Sequence, residues 1–195
     1  MLLCIGVGLA PAFKMRFWNI GGEGQVLVGG VAAAACMIYL APNMPLAPVL
    51  LIMFVLSALA GAIWGLIPAV FKARWNTNET LFTLMMNYIA LQITSFCVSK
   101  WENPYGSNTV GIINPTTNAG WFPSIFGQQY MLNVIIVVLI AVAMYLYLKY
   151  SKQGFEIAVV GESMNTARYA AINVKRVIIR TVMILSLIHI SEPTR

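Results

Sequence analysis

A stripe of hydrogen-bonding side chains runs through an otherwise apolar stretch near the middle of the chain. Tyr88, Gln92, Ser95 and Ser99 recur at positions i, i+4, i+7 and i+11, with Asn87 beside them. A helix would place these residues on one face. Because polar groups are costly against lipid, the stripe must face protein or water. Two interpretations stay open: Asn87, Tyr88, Gln92 and Ser95 line a path for a polar solute, or the stripe hydrogen-bonds a neighbouring helix.

The remaining reactive side chains do not form a catalytic or metal-binding pattern. The chain has no aspartate, and the glutamates before residue 185 lie at predicted span ends or in loops: Glu23, Glu79, Glu102, Glu156 and Glu162. Paired carboxylates for acid–base catalysis and an intramembrane proton relay are therefore not supported. The three cysteines lie in apolar sequence without C-x-x-C spacing. We predict no catalytic residue, no metal site and no enzyme.

The elements that must position the stripe are membrane spans. The chain is 59% hydrophobic and 9% charged, whereas a soluble domain carries about 25% charged residues. Four apolar runs approach or exceed the ~17–25 residues that cross a bilayer: Leu27–Leu40, Leu46–Phe71, Leu81–Val98 and Met131–Leu148. Leu2–Phe13 and Val177–Leu185 are shorter and resemble pieces of spans. We predict an all-α, polytopic membrane fold with about five to six spans or partial spans.

Basic residues give these spans an orientation. Ten of them fall on one side of the predicted spans, namely Lys14, Arg16, Lys72, Arg74, Lys149, Lys152, Arg168, Lys175, Arg176 and Arg180. Lys100 alone falls on the other side. The positive-inside rule makes the ten cytoplasmic and the connection Trp101–Gln129 external. The net charge of +6 is thus explained by topology and by attraction to anionic lipid, and no nucleic-acid partner is expected.

A short polar helix with basic flanks is predicted between two spans. Ser163 follows a Gly161-Glu162 turn and is a suitable N-cap for a helix Met164–Ile172. Ala167, Ala170 and Ala171 would give that helix a narrow face. The segment 150–176 resembles the cytoplasmic coupling helix of permease subunits in bacterial ABC importers, in the branch for nucleosides and simple sugars that is related to branched-chain amino-acid permeases. The resemblance assigns ATPase contact to Gly161, Glu162, Ala167, Arg168, Tyr169, Ala170 and Ala171.

Two further blocks resemble the same permease branch. Asn19-Ile20-Gly21-Gly22-Glu23-Gly24-Gln25 matches a block at which the glycines permit a helix break near the translocation path or the cytoplasmic face; a plain interhelical turn is the alternative. The second block is Asn76–Ala90, in which Thr77 or Asn78 can cap a helix. Within a separate apolar run, Ser57, Gly61 and Gly65 recur every four residues and predict a packing seam.

The resemblance implies a transport subunit that works by alternating access, with nucleosides expected first and simple sugars second. Its implied partners are a second permease subunit in a homo- or heterodimer, two cytoplasmic ATPases, an extracytoplasmic substrate-binding protein and the bacterial plasma membrane. ATP and magnesium would be bound by the ATPases, and this chain would bind no cofactor. The rival classes are an ion- or proton-coupled secondary transporter, which usually needs an intramembrane ionisable residue, and a non-transporting membrane scaffold.

The last eleven residues differ in character from the rest. Leu185–Arg195 resembles the translation of a sequencing adaptor, and it includes the chain's single histidine, His189. We therefore expect the permease domain to occupy residues 1–184 as a fragment, and residues 185–195 to be a non-native tail.

Overall fold

The computed structural model describes residues 2–111, 113 and 131–186, and over these ranges the fold is all-α. The helices, in chain order, are α1 Leu2–Lys14, α2 Gly22–Tyr39, α3 Leu46–Trp75, α4 Glu79–Trp101, α5 Met131–Tyr150, α6 Lys152–Glu162, α7 Met164–Tyr169 and α8 Val174–Ser186. A 3₁₀ turn, Ala41–Asn43, follows α2. The predicted fold class is confirmed.

Each apolar run predicted to span or enter the membrane coincides with a helix, except that Leu40 lies just beyond the end of α2. In the described part of the chain, three segments are long and apolar enough to cross a bilayer: Gly22–Asn43, Leu46–Trp75 and Glu79–Trp101. The α5–α6 pair passes the same test only when it is taken together as one segment, and it bends by 72° at its junction. The shorter runs correspond to α1 and α8, each 13 residues long and thus too short to cross alone.

The predicted small-residue seam on α3 is a helix-packing surface. A Cβ built on Gly29 of α2 would lie 3.2 Å from Ser57 Oγ, which shows how closely the two backbones approach. Further along α3, Gly65 packs against the side chains of Gln25 from α2 and Val182 from α8. Small side chains therefore let α3 pack closely against both neighbours.

The largest buried cluster lies at the end of the bundle that carries most of the basic residues. It joins α1, α3, α6, α7 and α8 through Ala12, Met15, Phe17, Ala69, Ile157, Val160, Ala167, Val174, Val177, Ile178, Val182 and Leu185. Leu185 is fully buried in α8, although it was expected to begin the tail. Residues 187–195 lie outside the described residues.

Two aromatic residues connect α2 and α4 at the opposite end of the bundle. Trp101 Nε1, at the end of α4, donates to the Tyr39 hydroxyl at the end of α2 over 3.1 Å, and their rings meet edge-on. Lys100 precedes this pair. Most of the predicted external connection, residues 112 and 114–129, lies outside the described residues.

Candidate functional site: the coupling segment and the adjoining helix break

The coupling segment begins at a sharp corner between α5 and α6. Ser151 Oγ caps α6 by accepting from Gly154 N over 2.9 Å. Gly154 is buried, and a Cβ built there would lie 2.5 Å from the carbonyl oxygen of Leu148. Only glycine therefore allows α6 to turn back onto the last carbonyls of α5.

The predicted cap of α7 is confirmed, but the helix is shorter than expected. Ser163 Oγ accepts from Thr166 N over 3.3 Å. Gly161 and Glu162 are the last residues of α6 rather than a turn, and α7 ends at Tyr169 instead of Ile172. Ala171 has a left-handed φ of 57°, a conformation that commonly terminates helices.

The side chains of α7 do not divide as the sequence suggested. Ala167 is fully buried in the core, whereas Arg168, Ala170 and Ala171 are exposed and Tyr169 is 92% exposed. The expectation of one narrow face formed by Ala167, Ala170 and Ala171 is corrected: Ala167 attaches α7 to the bundle. The six-residue helix is too short to place Ala170 and Ala171 on a continued helical face with it.

Gly161 connects the coupling segment to α1. A Cβ built on Gly161 would overlap the carbonyl oxygen of Lys14 and lie 3.2 Å from Met15 Cα. The Lys14 ammonium in turn donates to the carbonyl of Leu148 over 3.3 Å. Backbone thus lies directly on backbone where α6 meets α1 and α5, so the three helices are closely packed at this point.

An ion pair ties α6 to α8. Arg180 Nη2 lies 2.7 Å from Glu156 Oε2, and both side chains are largely shielded from solvent. The Tyr147 hydroxyl of α5 donates to Gln153 Oε1 nearby over 2.6 Å. The Glu156–Arg180 pair was not predicted, because its members are 24 residues apart in the chain.

Part of the glycine block quoted above lies in the connection between α1 and α2, which is called the helix break below; whether it lies near the translocation path or is a plain interhelical turn stays a prediction. Asn19 and Gly21 lie in the connection between α1 and α2, whereas Gly22, Glu23, Gly24 and Gln25 form the first turn of α2. Asn19 Oδ1 accepts from Gly21 N over 2.9 Å, and Asn19 Nδ2 donates to Gln25 Oε1 over 3.4 Å. Glu23 is exposed.

Asn87 joins this break to α4. It is 6% exposed; its Oδ1 accepts from Gly24 N over 2.8 Å, and its Nδ2 donates to Ile20 O over 2.9 Å. Gly24 N is one of the first four amide donors of α2, which have no partner inside the helix. The Asn87 side chain on α4 therefore provides hydrogen-bond partners for backbone groups on both sides of the break.

A small cavity of about 10 Å³ lies beside the break, lined by Asn19, Gly21, Gln25, Trp64, Gly65, Pro68, Thr83 and Met86. Gln25 Nε2 and Trp64 Nε1 are buried donors without an acceptor among the described residues. The cavity is about the volume that one water molecule needs. Gln25 belongs to the predicted glycine block, whereas the position of Trp64 beside that block was not predicted.

The predicted polar stripe separates into two parts. Asn87 forms the interhelical contacts described above, while Tyr88, Gln92, Ser95 and Ser99 are exposed. Ser99 Oγ donates back to the Ser95 carbonyl of its own helix over 3.0 Å. Within the described residues, the structure therefore places Asn87 in packing and leaves Tyr88, Gln92 and Ser95 on an open face of α4.

The start of α4 carries the predicted cap and an unpredicted ion pair. Asn78 Oδ1 accepts from Thr80 N and Leu81 N, so Asn78 and not Thr77 is the cap. Glu79 Oε2 lies 2.7 Å from Lys72 Nζ at the end of α3. Among the described residues, no group of three or more His, Cys, Asp or Glu side chains could hold a metal ion.

Comparison with known proteins identifies related chains. The chain is 34% identical to the guanosine ABC transporter permease protein NupP of Bacillus subtilis strain 168 over 92% of its length and 51% of the relative. It is 25% identical to the nucleoside ABC transporter permease protein NupB of Lactococcus lactis subsp. cremoris strain MG1363, over 94% and 52%. It is 26% identical to the glucose ABC transporter permease protein TsgB13 of Haloferax volcanii, over 88% and 47%.

The chain thus spans about half the length of these curated relatives. No solved structure matches it significantly. A family model described as the permease component of branched-chain amino acid transport systems matches residues 1–188. Because that match extends over nearly the whole chain and agrees with its polytopic helical fold, the chain belongs to this family of membrane permeases.

Proposed function

We propose that the chain is part of the membrane-spanning subunit of an ATP-driven importer, and that α6 and α7 receive the movement of a separate ATPase. The observation that carries this proposal is the contrast within α7. Its inner residue, Ala167, is fixed in the core, while Arg168, Tyr169 and the following Ala170 are exposed. A helix anchored on one side and open on the other is suited to docking with a cytoplasmic partner.

The contacts behind α7 supply a route for that movement. Glu156 joins α6 to α8 through its pair with Arg180, and Gly161 lies against the end of α1. A push on α7 would therefore act on two membrane-entering helices through packed contacts. This is the mechanical requirement for alternating access, in which the spans reorient around a bound solute.

The substrate is proposed to be a nucleoside first and a simple sugar second. The relatives' names specify guanosine, nucleosides and glucose, all of which are rich in hydrogen-bonding groups. Tyr88, Gln92 and Ser95 offer neutral donors and acceptors on the open face of α4. The complete transporter would pair this permease with a second permease, two ATPases that bind ATP and magnesium, and an extracytoplasmic binding protein.

The ion pairs of the described residues favour this proposal over an ion-coupled carrier. Lys72–Glu79 joins the adjacent ends of α3 and α4, and Glu156–Arg180 joins α6 to α8 near the coupling segment. Both pairs lie on the basic side of the bundle. A proton-coupled carrier would instead be expected to place an ionisable group along the path inside the membrane.

The test uses the full-length complex carrying Ala170→Glu. The added carboxylate would have to be desolvated or left unpaired at the docking surface, which costs on the order of several kcal/mol. We expect co-purified ATPase and guanosine uptake to fall together while permease abundance stays near wild type. Arg74→Gln serves as the charge control, because it lowers the net charge by the same one unit at an exposed residue of α3 outside the coupling segment.

Ala167→Glu provides the contrasting variant. Because Ala167 is fully buried, its replacement should lower the abundance of folded permease as well as ATPase association. Normal ATPase association and normal uptake in Ala170→Glu would contradict the proposal. Uptake that follows an imposed proton or sodium gradient without ATP would support the secondary carrier instead.

A further inference from the structure

A basic cleft opens between the end of α3 and the α7–α8 connection. Its volume is about 440 Å³. Three cationic side chains contribute to the lining, Lys72, Arg168 and Lys175, and Ile172, Val174 and Ile178 add apolar surface. The cleft therefore combines positive charge with a hydrophobic wall.

The positive charge of the cleft is only partly neutralised. Lys72 is paired with Glu79, whereas Arg168 and Lys175 are exposed and form no ion pair within the described part of the chain. The cleft also contains the first residues of α8, whose amide groups place partial positive charge at that end. The site is thus suited to an anion.

The position of the cleft narrows the choice of anion. Lys72 lies in the last turn of the long apolar helix α3, and Lys175 lies in the first turn of α8. With the orientation given by the basic residues, both mark the level of the cytoplasmic headgroups. Basic pockets between helices at this level are suited to phospholipid headgroups.

We propose that this cleft binds the headgroup of an anionic phospholipid from the cytoplasmic leaflet. Arg168 and Lys175 would contact the phosphate, while Met164 and Ile172 would pack against the glycerol and the upper acyl chain. A free phosphate ion could use the charges but not the apolar wall. This lipid site and the ATPase contact assigned to α7 have one residue in common, Arg168.

The experiment measures lipid retention by the purified full-length permease without its ATPase. Native mass spectrometry is performed after addition of phosphatidylglycerol or phosphatidylcholine. We expect Lys175→Gln and Arg168→Gln each to weaken phosphatidylglycerol binding about five-fold, since a basic residue near an anionic surface contributes about 1 kcal/mol. Phosphatidylcholine binding should weaken less, because its choline cation offsets the charge of the phosphate that these residues contact, and an unchanged thermal unfolding midpoint reports that the variants are folded.

Arg176→Gln is the matched control, because Arg176 is equally exposed and directly follows Lys175 but does not line the cleft. Equal loss in this variant would overturn the proposal in favour of diffuse attraction to basic surface. Full displacement of phosphatidylglycerol by millimolar inorganic phosphate would identify a free-anion site and would also overturn it. So would unchanged phosphatidylglycerol binding in Lys175→Gln. If the same variant, purified separately as the full complex, also retained less ATPase, the cleft would be assigned to a protein carboxylate.

Discussion

Replacing Asn87 by alanine should destabilise the helix break that it holds. The change removes an acceptor from Gly24 N and a donor from Ile20 O, at 2.8 and 2.9 Å. A backbone group left unsatisfied in a buried site costs about 1–3 kcal/mol. The bond to Gly24 N is buried and the bond to Ile20 O is part-buried, so we expect a loss of about 1–3 kcal/mol in the free energy of unfolding from Gly24 N, with a smaller contribution from Ile20 O because water can reach it.

The matched variant is Gln92→Ala, which removes a similar amide from an exposed position on the same helix. It should change the free energy of unfolding by no more than about 0.5 kcal/mol. Both full-length variants are unfolded by sodium dodecyl sulfate in mixed micelles, with circular dichroism as the signal. If Asn87→Ala unfolds at the wild-type midpoint, or if Gln92→Ala loses as much stability, the assignment of Asn87 to packing and of Gln92 to an open face is refuted.

Three further predictions test neighbouring features. Gly24→Ala should lower stability by about 1–3 kcal/mol, because its Cβ would lie 2.7 Å from Asn87 Oδ1. Gly30→Ala, where a Cβ meets open space, should raise stability by about 0.5–1 kcal/mol. Thermal unfolding of both variants measures the difference, and equal shifts would contradict it. In a cysteine-free background, a cysteine at Asn108 should react with an impermeant thiol reagent in intact cells, and one at Asn165 only after permeabilisation; the reverse result would invert the topology. Gln92→Leu should impair nucleoside uptake while ATPase association persists, and unimpaired uptake would remove Gln92 from the path.

Features that depend on a few neighbouring residues were predictable from the sequence. The caps at Ser163 and Asn78 are confirmed, because a cap is a hydrogen bond to an amide within the next turn. The apolar runs located the helices, because a continuous apolar run of sufficient length is itself a local feature of the sequence. The three motif blocks identified the permease family that the chain matches. The end of α7 was wrong by three residues, since the left-handed Ala171 is not signalled by its residue type.

Features that depend on which face of a helix meets another helix were decided by the tertiary structure. Asn87 finds its partners more than 60 residues away in the chain, and Ala167 faces the core although its neighbours in the motif are exposed. In a membrane protein, lipid and helix neighbours are both apolar, so hydrophobic periodicity does not reveal the packed face of a span. The sequence by itself determined where the helices are and what family they form; packing alone decided which polar groups hold the helix break and which remain free to meet a partner.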